Sequence, residues 1–215
     1  MTYLEICNKV LRLMREDTVA TLQASDDVVV DLVKDFVNDA KRLVEGAHDW
    51  NGLVYEWTPP TVVGDPYVGL TGAGKSANIS YIYRDDGVAL KELPRYKMSA
   101  LRSQVTPNDS PSYYSINGVD SNGDVRVLLH PTPSAVSTLT ISGYLKQPDL
   151  STDDDELKIP EQPVVYYALA FALRERGEVG GQTAAEVFGM AKEYIGNAIA
   201  NDVALNQYDY DWYAN

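Results

Sequence analysis

The sequence predicts an α+β fold: a four-helix bundle formed by the N- and C-terminal helix pairs, a central antiparallel β-rich insertion domain, and an extended C-terminal tail. Three observations predict it. Apolar residues recur at three-to-four spacing near both ends of the chain. Between about 52 and 148 the period shortens to two, with Gly, Pro, Ser and Asn punctuating short runs. The stretch from Val164 to Leu173 holds no charged residue. Helices at opposite ends of a chain pack most economically if the ends meet in one core. The segments are then 1–51 for the first helix pair, 52–148 for the insertion, 149–206 for an acidic connector and the second pair, and 207–215 for the tail.

In order along the chain, Leu4, Cys7, Leu11 and Met14, widened by Ile6, Val10 and Leu13, mark an amphipathic helix over 3–15. Ser25, Asp26 and Asp27 supply N-cap chemistry for a second helix. Its face is Val29, Leu32, Val33, Phe36, Val37, Ala40, Leu43, Val44 and Ala47, and it ends between Gly46 and Trp50. In the insertion, Ile79, Tyr81 and Tyr83 alternate with Ser80, Ile82 and Arg84, as in a strand. Asn122-Gly123-Asp124 reads as a hairpin turn that pairs the Tyr113–Ile116 run with Val125, Val127 and Leu129. Beyond Pro131-Thr132-Pro133, Leu139, Ile141 and Gly143 form another strand, expected to pair antiparallel with the Val125 run. Arg95 to Gln104 is a short helix. Pro163 opens a helix that is apolar on every side and is therefore expected to be buried on every side. Gly177 and Gly180-Gly181 break it. Val187, Phe188, Ala191, Tyr194, Ile195, Ala198 and Ile199 mark a fourth helix to about Ala204, whose Gly189, Ala191, Gly196 and Ala198 would let a neighbouring backbone approach closely.

A chain of 215 residues can build one core or two small lobes without a disulfide or a metal. Acidic residues outnumber basic ones 31 to 18, a formal charge of −13, and no window concentrates Lys and Arg into a stripe. Such a chain is repelled by nucleic acid in bulk, because phosphate neutralisation supplies most nonspecific affinity. The repulsion also suits a protein that DNA slides past. Cys7 is the only cysteine, which excludes an internal disulfide and a multi-cysteine zinc site. The opening MTYLEICNKVLRLMRE lacks the apolar run of a secretion signal, and no segment approaches the ~20 apolar residues of a membrane span. Synthesis in the cytoplasm is expected.

The sharpest chemical motif is Gly69-Leu-Thr-Gly-Ala-Gly74-Lys75-Ser76, which satisfies P-loop spacing in full. A P-loop works between a buried strand and a helix N-terminus, whose N–H groups wrap phosphates. Here the downstream residues, Ala77 to Tyr83, read as strand, so a Gly-rich exposed loop is the preferred reading over nucleotide binding by Gly74, Lys75 and Ser76. His48 and His130 have no motif partners, and structural or solvent roles fit them best. Cys7, inside an apolar stripe, reads as a small buried thiol. Asp153-Asp154-Asp155-Glu156 lacks the Gly and Glu of an EF-hand loop and reads as a solvated loop. The tail carries Tyr208, Tyr210, Trp212 and Tyr213 among aspartates, more aromatics than a solvated end needs. It is expected to dock on another subunit, the alternative being that it folds back on its own helices.

Taken in order, several blocks resemble one family. They are the N-terminal helix pair followed by Trp50 and Trp57, Ser110-Pro-Ser-Tyr-Tyr-Ser-Ile116, Val125-Arg-Val-Leu-Leu-His-Pro131-Thr-Pro133, Gly143-Tyr-Leu-Lys-Gln-Pro-Asp-Leu150, and Ile159-Pro160-Glu-Gln-Pro163 with its Ala-rich helix. In these the chain resembles the head-to-tail adaptors of short-tailed bacteriophages, also called tail tubular protein A or head-completion proteins. The resemblance implies a non-enzymatic virion protein without cofactor or catalytic residues, assembled as a twelve-membered ring. Its implied partners are the portal protein above, the tail nozzle protein below and neighbouring copies of itself, with DNA passing through the lumen and no membrane involved. The P-loop-like string departs from that family. It keeps open a nucleotide hydrolase reading, beside that of a free acidic binding module.

Overall fold

The computed structural model describes residues 1–23, 27–75, 77–104, 107–177 and 182–205. It divides by contacts into two compact units, one built from Met1–Leu53 with the described residues from Gln147 onward, the other from Val54–Lys146.

The first unit is helical. Helix α1, Tyr3–Leu13, starts in a capping box: Thr2 Oγ1 accepts the Glu5 N–H at 3.3 Å, and the Glu5 carboxylate accepts the Thr2 N–H at 2.9 Å. It buries Tyr3, Ile6, Cys7, Val10 and Leu11, whereas Leu13, expected on that stripe, is exposed. Helix α2, Val28–Glu45, is capped by Asp27, which accepts the Val29 N–H at 2.8 Å; Ser25 and Asp26, named with it as capping residues, lie outside the described residues. Its buried face is Val30, Val33, Val37, Ala40 and Val44. Leu32 and Leu43 from the predicted stripe are exposed, and Lys41 is wholly buried.

Helix α4, Glu161–Glu175, is the centre of this unit. Its residues from Val164 to Leu173 are buried except for the half-buried Tyr166 and Phe171, as an all-round apolar helix requires. It packs on α1, on α2 and on α5, Gln182–Leu205. The α4–α5 seam is aromatic, with Tyr166 against Tyr194 at 4.7 Å between ring centroids and Phe171 against Phe188 at 5.6 Å. α5 lies chiefly along α4, so the four helices do not share contacts equally as four equivalent rods would. Of the small residues expected to admit a close neighbour, Ala191 is fully buried in the helical core, whereas a Cβ at Gly189 or Gly196 would meet nothing within 4 Å among the described residues.

The second unit is two sheets over one core. Strands β1 (Val54–Trp57), β3 (Asn78–Arg84) and β7 (Leu139–Tyr144) form an antiparallel sheet in the order β1-β7-β3. Strands β2 (Tyr67–Gly69), β4 (Lys91–Glu92), β5 (Tyr113–Val119) and β6 (Val125–His130) form the other, ordered β2-β6-β5-β4. Its β4–β5 pair is parallel, against the all-antiparallel expectation. The predicted β5–β6 hairpin is present, closed by the Gly123 N–H on the Asp120 carbonyl with Gly123 at φ +86°.

The predicted pairing of the Val125 and Leu139 runs is not made, because β6 and β7 belong to different sheets. Thr61, buried, fixes the crossing: its N–H donates to the Ser137 carbonyl at 2.8 Å, and its Oγ1 accepts the Ser137 N–H at 2.9 Å. That anchors the segment after Pro133 beside the extension of β1. Both strands still feed one core, where Val125, Val127 and Leu129 meet Leu139, Ile141, Ile82 and Trp57.

Helix α3, Arg95–Arg102, packs on β5 and β6. Strand alternation turns Val127 and Leu129 into the core, which leaves Leu128, His130, Tyr113 and Ser115 for the opposite face, where buried Met98 anchors α3.

Candidate functional site

The P-loop-like segment is a turn between two strands. Strand β2 ends at Gly69, the chain turns through Leu70 to Lys75, and β3 begins at Asn78, so no helix follows the glycines. Ser76 lies outside the described residues. Gly72 and Gly74 adopt φ of +78° and +61°, which glycine tolerates and other residues resist. Their N–H groups converge on one carboxylate: Asp124 Oδ2 accepts Gly72 N–H at 3.0 Å, and Oδ1 accepts Gly74 N–H at 2.8 Å. A backbone nest able to hold an anion is thus filled by the chain's own aspartate. The Val125 N–H also donates to the Gly74 carbonyl at 2.9 Å, tying loop to hairpin. The geometry supports a structural turn and gives the nucleotide reading no support.

The acidic run at 153–156 is solvent-accessible, as expected, and it is also ordered by hydrogen bonds. Asp155 accepts the N–H groups of Ser151 at 2.6 Å and Thr152 at 2.8 Å, and the Thr152 hydroxyl at 2.7 Å. These donors hold its carboxyl down to about 2, the Thr152 and Ser151 N–H groups contributing most. Asp153 Oδ1 accepts the Leu22 N–H at 2.9 Å, while the Asp153 and Asp155 carbonyls accept the Leu4 and Tyr3 N–H groups. The run therefore stitches the connector to the start of α1. Among the described residues no cluster of His, Cys, Asp and Glu is arranged to hold a metal ion.

The remaining candidates are structural in this geometry. His48 Nε2 sits 3.1 Å from Asp202 Oδ2, which also accepts the Asn51 N–H at 3.2 Å, so this contact joins the end of α2 to the end of α5. Buried His130 is pushed below its ordinary value by burial, and then by nearby Arg102. Cys7 is enclosed in the helical core, and burial raises its thiol to about 12, which leaves it a neutral side chain. Trp50 and Trp57 are both core residues; Trp50 Nε1 donates to the Val44 carbonyl at 2.8 Å.

Grooves and exposed apolar side chains are also found among the described residues. The first groove lies between the start of α4 and the end of α5 and is lined by Glu161, Tyr194, Asn197 and Asp202. The second lies between α3 and the β4 edge. It encloses about 380 Å³, with Leu93, Leu101 and Tyr113 as apolar lining and Lys91 and Lys97 as cations. At the opposite edge of the same sheet, Arg126 and Arg102 stand over the Tyr67 ring of β2 at 4.3 and 5.7 Å. The absence of a basic stripe in the sequence is therefore corrected in three dimensions, where α3 and its sheet collect Lys91, Lys97, Arg102 and Arg126. Exposed apolar side chains occur on α2 (Val28 and Leu32, with Leu43 three turns further along) and on the outer side of β3, where Tyr81 and Tyr83 pack edge to face at 5.2 Å.

Tyr208, Tyr210, Trp212 and Tyr213, the sequence-predicted partner-binding residues, lie outside the described residues. Sequence reasoning missed Asp124, separated by fifty residues from Gly74 and without a local signal. It also missed the Lys91–Lys97 groove, whose one visible sign was four cations against a single carboxylate between 91 and 102.

A family model described as SU10 adaptor protein matches residues 1–212. Together with the fold, the match defines a class, the structural adaptor proteins of bacteriophages. The chain belongs to the SU10 adaptor protein family, a head–tail adaptor family. No curated protein matches its sequence. Among the described residues no helix is long and apolar enough to cross a membrane.

Proposed function

We propose that this protein is a ring-forming head-to-tail adaptor of the tail tubular protein A type, which joins the portal protein to the tail nozzle and leaves a channel for DNA. The observation that carries the reading is the family match over residues 1–212. In this reading the helices of 1–51 and 149–206 act as one bundle, the β-rich segment 52–148 adds a second contact surface, and about twelve copies close the ring. The exposed apolar residues of α2 and β3 supply surface for burial between copies, since contiguous apolar patches mark association sites. A net charge of −13 keeps DNA from adhering to the lumen. Tyr208, Tyr210, Trp212 and Tyr213 anchor the tail on another subunit. The protein is made in the host cytoplasm and resides in the virion.

Co-expression with the cognate portal, affinity capture of the portal and electron microscopy test this. Rings of the adaptor on one end of the portal are expected; an intact portal that captures no adaptor rejects the reading. Deleting 207–215 is expected to weaken ring retention, and unchanged retention removes the tail from the mechanism.

A further inference from the structure

We propose that the groove between α3 and β4 is the receiving site for the acidic, aromatic C-terminal segment of a neighbouring copy, an inference that rests on the ring-forming reading above. The groove has two chemical features. Leu93, Leu101 and Tyr113 line a cavity of about 380 Å³, a size in which aromatic anchors bind. Lys91 and Lys97 add two positive charges, and among the described residues neither has an ion-pair partner. In a chain of net charge −13 this is an exceptional surface, and an acidic peptide with apolar anchors is what it complements.

The chain itself carries such a peptide. Beyond Leu205 it continues for ten residues that include Asp209, Asp211, Tyr208, Tyr210, Trp212 and Tyr213 and no Lys or Arg. Tyr208, Tyr210 and Trp212 supply the apolar anchors, and Asp209 and Asp211 between them supply the charge that the long Lys91 and Lys97 side chains complement. Only residues 206 and 207 separate Leu205 from Tyr208, at most about 11 Å of chain, so the receiving copy has to bring its groove up to the end of α5. Charge argues against the groove between α4 and α5, which presents Glu161 and Asp202 to the same acidic segment. A tail-to-groove contact is heterologous, with different surfaces on the two copies, and repeated around an axis it closes a ring.

The test uses the full chain assembled on its portal from a 1:1 mixture of ¹⁵N-labelled and unlabelled protein. A carbodiimide then joins only carboxylates and amines already in contact. Amide links between Asp209 or Asp211 and Lys91 or Lys97 are expected, about half of them pairing a heavy with a light chain, as random mixing of copies around a ring dictates. Links confined to one isotope would assign the tail to its own subunit and overturn the proposal, as would links to portal lysines alone or none. A second measurement uses the free chain and a labelled peptide of residues 206–215. Lys91→Glu with Lys97→Glu is expected to weaken peptide binding about tenfold, and a peptide carrying Asp209→Lys and Asp211→Lys to recover it. Peptide affinity indifferent to both changes rejects the groove. Rings on the portal without these links would sink the groove and leave the adaptor reading standing; an absence of rings sinks that reading, and the peptide titration still decides the groove.

Discussion

Lys41 shows how much one side chain of the wrong polarity can organise. It sits wholly buried on α2 because its Nζ donates to Glu45 Oε1 at 3.2 Å and to the Gln147 carbonyl at 2.7 Å, while Glu45 Oε1 accepts the Gln147 N–H at 3.2 Å. The pair satisfies both backbone groups of the residue at which the chain re-enters the helical unit. Burial of the two charges offsets much of their attraction, so positioning of Gln147 is the larger consequence. Sequence could not reveal it, since a lysine between Ala40 and Val44 reads as the edge of a polar face. The role of Asp155 is hidden in the sequence for a related reason: its donors, Ser151 and Thr152, are local, but nothing in an acidic run says which carboxylate bends back to them. Its folded value, about 2, lies below the ordinary 3.8, so the stability it adds is fully present above the ordinary value and is lost as pH falls toward 2. Asp155→Asn is expected to lower the urea midpoint at pH 7, with the gap narrowing below about pH 5 and closing near pH 2. A gap that stays constant across that range would refute the assignment.

At the scale of elements, legibility followed burial. The charge-free run from Val164 to Leu173 identified α4 because a helix enclosed by three others leaves no position for charge. Strand alternation located β5, β6 and β7, yet it reports only which face is buried and not which neighbour pairs. Val127 and Ile141 both point into one core from different sheets, and no periodicity distinguishes that from direct pairing. α5 was located correctly, but its glycines were misjudged. Gly189 and Gly196 are exposed, and each weakens the helix by about 1 kcal/mol relative to alanine without a contact within the chain that needs the missing Cβ. Gly189→Ala and Gly196→Ala are therefore expected to raise the stability of the free chain by roughly 0.5–1 kcal/mol each, read from chemical denaturation. A loss of stability would mean that the face is already packed. Normal folding with impaired ring formation would instead place this face between copies.

For the whole molecule, the decisive property is that two cores are built by one chain that leaves the helical unit at Leu53 and returns at Gln147. Each core is closed by its own residues: Trp50, Leu53 and Leu150 belong to the helical one, Trp57, Ile141 and Val127 to the sheet one. The two ends of the excursion are also adjacent, since Val54 pairs with Tyr144 across the β1–β7 register. Insertions of this kind are tolerated because the host needs only that its two chain ends stay close. Joining Leu53 to Gln147 through a short Gly-Ser linker is therefore expected to leave a helical protein with cooperative thermal unfolding by circular dichroism, and residues 54–146 alone are expected to fold with a β spectrum. The clamp from Lys41 and Glu45 to Gln147 is retained in the first product, which keeps the junction anchored where it is in the intact chain. If the linked helices lose cooperativity while the full chain keeps it, the helical core depends on the insertion and the two units are one folding entity.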